Sequence, residues 1–81
     1  MVAENILRPR VIIAADGGAL IELDRPYPGV SAELKRRIPT GDRCYDGKMR
    51  RWVIVPASAE IAIRIVRGFL PDVALMIGGA A

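Results

Sequence analysis

Apolar positions along the chain fall into five short runs, separated by breaks rich in proline and glycine and by two stretches with helical spacing. Val11-Ile12-Ile13-Ala14-Ala15 leads into Asp16-Gly17-Gly18, and Ala19-Leu20-Ile21-Glu22-Leu23 follows. Two glycines between two such runs predict a tight hairpin, because primed turns need positive φ. With Gly17-Gly18 as a two-residue loop, Asp16 pairs with Ala19, Ala14 with Ile21 and Ile12 with Leu23. That register places Ile12, Ala14, Ile21 and Leu23 on the inner face.

Arg25-Pro26-Tyr27-Pro28-Gly29 suits neither a strand interior nor a helix interior, since its prolines remove donors and restrict their neighbours. Ser31 is then the expected N-cap of a short helix through Arg37, stopped by Pro39 and Gly41. Arg43-Cys44-Tyr45 and Trp52-Val53-Ile54-Val55 predict a second hairpin around Asp46-Gly47-Lys48-Met49. Pro56 ends that strand, and Ser58 is the expected cap of a helix over Ala59 to Leu70. Ile61, Ile65, Gly68 and Phe69 carry its core spacing, and Glu60–Arg64 forms an i, i+4 pair on another face. After Pro71, Val73-Ala74-Leu75-Met76-Ile77 predicts a fifth strand, with Gly78-Gly79-Ala80-Ala81 as a frayed end. The expected fold is α+β in the order β-β-α-β-β-α-β, a mostly antiparallel sheet with two helices packed against it in one domain.

Composition narrows the function classes. At 81 residues there is room for one domain. No run of about 18 apolar residues exists to span a membrane, and the N-terminal residues carry an early acid in place of a signal-peptide core. Cys44 stands alone, so no intramolecular disulfide forms, and a small domain without that staple points to the cytoplasm. Its basic neighbours would favour a thiolate, but a small buried residue is the simpler expectation. With no histidine and one cysteine, neither a Cys–His dyad nor a zinc site can be assembled. Asp16, Glu22, Asp24, Asp42 and Asp46 show no spacing that converges them on a metal for phosphodiester cleavage. The chain is therefore expected to be non-enzymatic and to need no cofactor.

The net charge of +3 says less than its distribution. Residues 1–34 sum to −2 and residues 52–81 to zero, whereas residues 35–51 sum to +5. Lys35, Arg36, Arg37, Arg43, Lys48, Arg50 and Arg51 thus form a localised candidate footprint for a polyanion. The bland alternative is a solvated helix end and hairpin. Tyr45 and Trp52 offer aromatic faces for unpaired bases. Trp52, beside Val53-Ile54-Val55, is assigned to the core. Tyr45 is expected to pack across strands, with stacking as its second reading, and stays among the nucleic-acid-binding candidates.

The stretch Leu34-Lys35-Arg36-Arg37-Ile38-Pro39, followed by Arg43 and by Tyr45-Asp46-x-Lys48-x-Arg50-x-Trp52, resembles the HARP module that precedes the motor in annealing helicases. The similarity in pattern runs from about Val11 to Ile77. The resemblance implies a DNA-binding accessory domain for single-stranded or junction structures, DNA more than RNA, with a helicase or another replication or repair protein as partner. A rival expectation is a protein-interaction or oligomerisation module that uses the C-terminal strand as a free edge.

Overall fold

The computed structural model of the protein describes residues 8–78. Of the expected frayed end, Gly78 is instead tied down, its amide donating to the Ile13 carbonyl at 2.8 Å, whereas Gly79-Ala80-Ala81 and the early acid at Glu4 lie outside the described residues. Strands β1 (Arg10–Ile13) and β2 (Ala19–Glu22) precede helix α1 (Pro28–Arg37) and a short 3-10 turn at Thr40–Asp42. Strands β3 (Arg43–Asp46) and β4 (Arg51–Ile54), helix α2 (Pro56–Phe69) and strand β5 (Ala74–Ile77) complete the fold. This is the α+β order read from the sequence.

The five strands form one mixed sheet in the order β3-β4-β2-β1-β5. Three pairings are antiparallel and the β1–β5 pairing is parallel. Two crossovers explain the layering. α1 links the parallel strands β2 and β3, moving one way across the sheet, and α2 links β4 and β5, moving the other way. Because β2 and β4 run in opposite directions, right-handed connections put both helices on the same face. Val11, Ala19, Ile21, Trp52 and Ile54 point to that face and are buried with Val30, Leu34 and Ile38 and with Ala59, Ala62, Ile65 and Val66. Trp52 is a core residue, as expected.

The first hairpin closes differently from its expected form. Val11 pairs with Ile21 and Ile13 with Ala19, so Val11, not Ile12, faces the core. The loop has three residues. The Gly17 amide donates to the Ala14 carbonyl at 2.9 Å, and Gly17 takes the left-handed conformation at φ 93°. Gly17 is needed for that conformation and Gly18 for space. A Cβ on Gly18 would lie 2.6 Å from the Ile54 carbonyl oxygen.

Both helices start earlier than expected, each with proline in the first turn where no amide partner is lost. α1 begins at Pro28 after Tyr27, and Ser31 lies inside it. α2 begins at Pro56, and Ser58 is a buried residue of its first turn whose hydroxyl donates to Asp42 Oδ2 at 2.8 Å. The buried face of α2 also differs from the expected one. Ser58, Ala59, Ala62, Ile65 and Val66 are buried, whereas Ile61, Gly68 and Phe69 are exposed.

Candidate nucleic-acid interface

The second hairpin is built by Asp46. Its Oδ1 accepts the amides of Lys48 at 3.0 Å and Met49 at 3.2 Å, which folds the turn over its own side chain. Arg50 then enters the left-handed region at φ 55° without being glycine. Tyr45 pairs with Trp52 across the strands, and its ring meets the indole edge-on at 5.3 Å. Trp52 is buried beneath it, while Tyr45 remains 52% exposed. Cross-strand packing and an open aromatic face therefore coexist in one residue. Cys44 points to the opposite face of the sheet and is exposed, contrary to the buried position expected of it.

The seven basic candidates separate into groups. Arg43 is turned inward. Its guanidinium donates to the Ile38 carbonyl at 3.0 Å, and to the Lys35 carbonyl and Thr40 Oγ1 at 3.4 Å, which satisfies backbone oxygens at the end of α1. Arg51 lies on the helix-free face, within 3.4 Å of Glu22, which also holds Arg10 at 2.6 Å. Arg36 forms a two-bond pair with Glu33, at 2.9 and 3.1 Å. The Arg36 hydrogen bond, reinforced by its charge and that of Arg37, holds the Glu33 carboxyl below its ordinary range; the same bond raises Arg36. Arg37 borders a groove between the helices with Arg64 and Phe69. Lys35, Arg37, Lys48 and Arg50 have no carboxylate at ion-pair distance among the described residues. Only Lys48 and Arg50 share the hairpin turn. Lys35 sits at the end of α1, its carbonyl beside Arg43 at the other end of β3.

The fold adds partners that the pattern of charge did not point to. Leu23, Asp24, Arg25 and Tyr27, in the link from β2 to α1, meet Tyr45 and Arg50 around a cleft of about 490 Å3. Tyr27 donates its hydroxyl to Asp24 Oδ1 at 2.8 Å, and the Arg25 guanidinium carbon lies 5.3 Å from the Tyr27 ring centroid. The one available signal was an aromatic residue flanked on both sides by proline. A separate hollow of about 350 Å3 beside Phe69–Ala74 has a mainly apolar lining that includes Pro9, Leu70, Pro71 and Val73. No group of three or more metal-ligating side chains occurs among the described residues, and no described helix is long and apolar enough to cross a membrane.

No protein-family model matches this chain, and neither a curated protein nor a solved structure is found to be similar to it.

Proposed function

We propose that this protein is a non-enzymatic, HARP-like accessory domain that binds DNA through the β3–β4 hairpin edge. The observation that carries the reading is the turn itself, where Lys48 and Arg50 lack acidic partners among the described residues and Arg50 borders the same cleft as the exposed Tyr45 ring. Cations without internal partners release condensed counterions when they meet phosphate, and arginine adds bidentate geometry. The resemblance of Tyr45-Asp46-x-Lys48-x-Arg50-x-Trp52 to the core of that module supports the same surface. Recognition rests on backbone charge and shape, with a replication or repair protein such as a helicase as the expected protein partner.

A salt titration tests it. With three or four phosphate contacts from Arg25, Lys35, Lys48 and Arg50, log affinity for a single strand falls against log salt with a slope of about −2 to −3. No binding at low salt removes nucleic acid as the partner.

A second reading, a protein-interaction or oligomerisation module, draws on β5. This strand is paired on one side only, and Leu75, Met76 and Ile77 are exposed on it without a charged residue. Sedimentation across concentrations reports on it independently, because self-association through β5 raises the apparent mass while leaving the salt slope unchanged.

A further inference from the structure

We infer that the cleft between the β2–α1 link and the second hairpin takes one unpaired nucleobase together with its phosphate. The inference rests on the DNA-binding reading and extends it from charge to a built subsite. The cleft has one open aromatic wall, Tyr45, and a second wall where Tyr27 packs against the core and carries the Arg25 guanidinium over its ring; each is held in place by independent contacts. Tyr27 stands between Pro26 and Pro28, and the first of these rings stiffens the link while the second begins α1. The hydroxyl bond to Asp24 and the Arg25 guanidinium over the ring fix its orientation further. On the other side Tyr45 leans on the buried Trp52 and leaves half its surface open.

Charge defines the ligand as much as shape does. Arg25 and Arg50 border the same cleft, against the single carboxylate of Asp24, so the site carries a net positive charge. Arg50 reaches it from a left-handed backbone position that residues with a side chain rarely adopt. An open aromatic ring with two guanidinium groups, one of them held over Tyr27, matches a flat π-system bearing an anion, which is the chemistry of a nucleotide. The volume lies within the roughly 300–1,000 Å3 typical of small-ligand sites. A paired base is stacked inside its duplex and reaches such a cleft only after extrusion, so an unpaired strand is the occupant. Stacking of this kind tolerates every base, because each has a π-face.

The test compares two oligomers of equal length and charge, one of thymidylate and one of abasic sugar–phosphate, by fluorescence anisotropy with the full chain. The wild-type protein is expected to bind the thymidylate strand on the order of tenfold more tightly, the gain that base–aromatic stacking supplies. Tyr27→Ala and Tyr45→Ala should bring that ratio close to one while keeping the salt slope, and Tyr27→Phe and Tyr45→Phe should preserve it. Equal wild-type affinity for the two strands overturns the cleft assignment and leaves the DNA-binding reading standing. Binding to neither strand overturns both. Discrimination retained in folded alanine variants also overturns it, and thymidine monophosphate binding as tightly as the strand would make a free nucleotide the occupant instead. The wild-type comparison decides the matter even where an alanine variant fails to fold.

Discussion

The two hairpins share a sheet and solve their turns in opposite ways. β1–β2 lies inside the sheet, flanked by β5 and β4, and its turn consists of conformational necessities. Gly17 supplies a positive φ, and Gly18 leaves room for the Ile54 carbonyl; the one charged residue, Asp16, accepts the Gly18 amide at 2.8 Å. β3–β4 reaches the edge, and its turn keeps Lys48 and Arg50 where no acid among the described residues neutralises them. Arg50 occupies a left-handed position that glycine fills without strain. A turn that serves the fold alone has glycine at its difficult positions. A turn that retains an arginine there holds strain in exchange for a placed cation, which is the pattern expected of a binding surface.

The largest effect is expected at Trp52, where the second hairpin also enters the core. Trp52→Ala is expected to destabilise the protein by about 3–5 kcal/mol, enough to approach global unfolding in a domain of this size. Chemical denaturation measures it, and a variant with near-native stability would show that Trp52 contributes little to the core. Next comes Gly18→Ala. Its Cβ meets backbone oxygen, which cannot swing aside as a side chain does, so a loss of about 1–3 kcal/mol is expected from the same measurement. Arg50→Gly separates the two turns because stability and binding should move in opposite directions. Relief of about 1–2 kcal/mol of left-handed strain exceeds the roughly 0.5–1 kcal/mol entropic cost of glycine, which leaves a small gain in stability. On the proposed reading, DNA affinity should fall, since Arg50 would no longer meet a phosphate.

The smallest effect lies on α1, away from either turn. Arg36 lowers the pKa of Glu33 in the folded state, so the pair's contribution is present above the ordinary carboxylate pKa. It is lost as pH falls through the lowered value. Glu33→Gln should therefore remove a slight acid-side decline in melting temperature and leave the neutral-to-alkaline range with the same pH dependence.

The element order was legible in the sequence because prolines and glycines punctuate nearly every boundary. What escaped was geometry that local pattern leaves degenerate. Gly17-Gly18 allows either a two-residue loop or a three-residue loop with Gly17 left-handed, and the two choices exchange Ile12 for Val11 at the core. Pro28 and Pro56 resemble helix breakers but begin helices, and α2 buries the small Ala59 and Ala62 with Val66 where the larger Ile61 and Phe69 were expected. At the interface the charge cluster was visible, yet its division was not. Arg43 and Arg51 are near neighbours in sequence of Lys48 and Arg50, but the sheet turns one toward α1 and the other toward Glu22. Arg25 and Tyr27 join the site because β2 pairs with β4 and ends with Glu22 opposite Arg51, a tertiary arrangement that no local window contains.

On this reading, binding belongs to the second hairpin and is no general property of a basic protein. Two variants that remove equal charge put that to the proof. Lys48→Gln with Arg50→Gln alters the hairpin turn, and Arg64→Gln with Arg67→Gln alters the outer face of α2, where Arg64 is already paired with Glu60 at 2.9 Å. All four side chains are exposed, so each double variant should change stability only slightly. Removing one phosphate-bound cation makes the single-strand salt slope shallower by about 0.7. The hairpin variant is expected to have a slope shallower by about 1.4 units and to bind far more weakly, with the α2 variant close to wild type. Equal weakening in the two variants, or greater weakening in the α2 variant, would place binding elsewhere than the second hairpin.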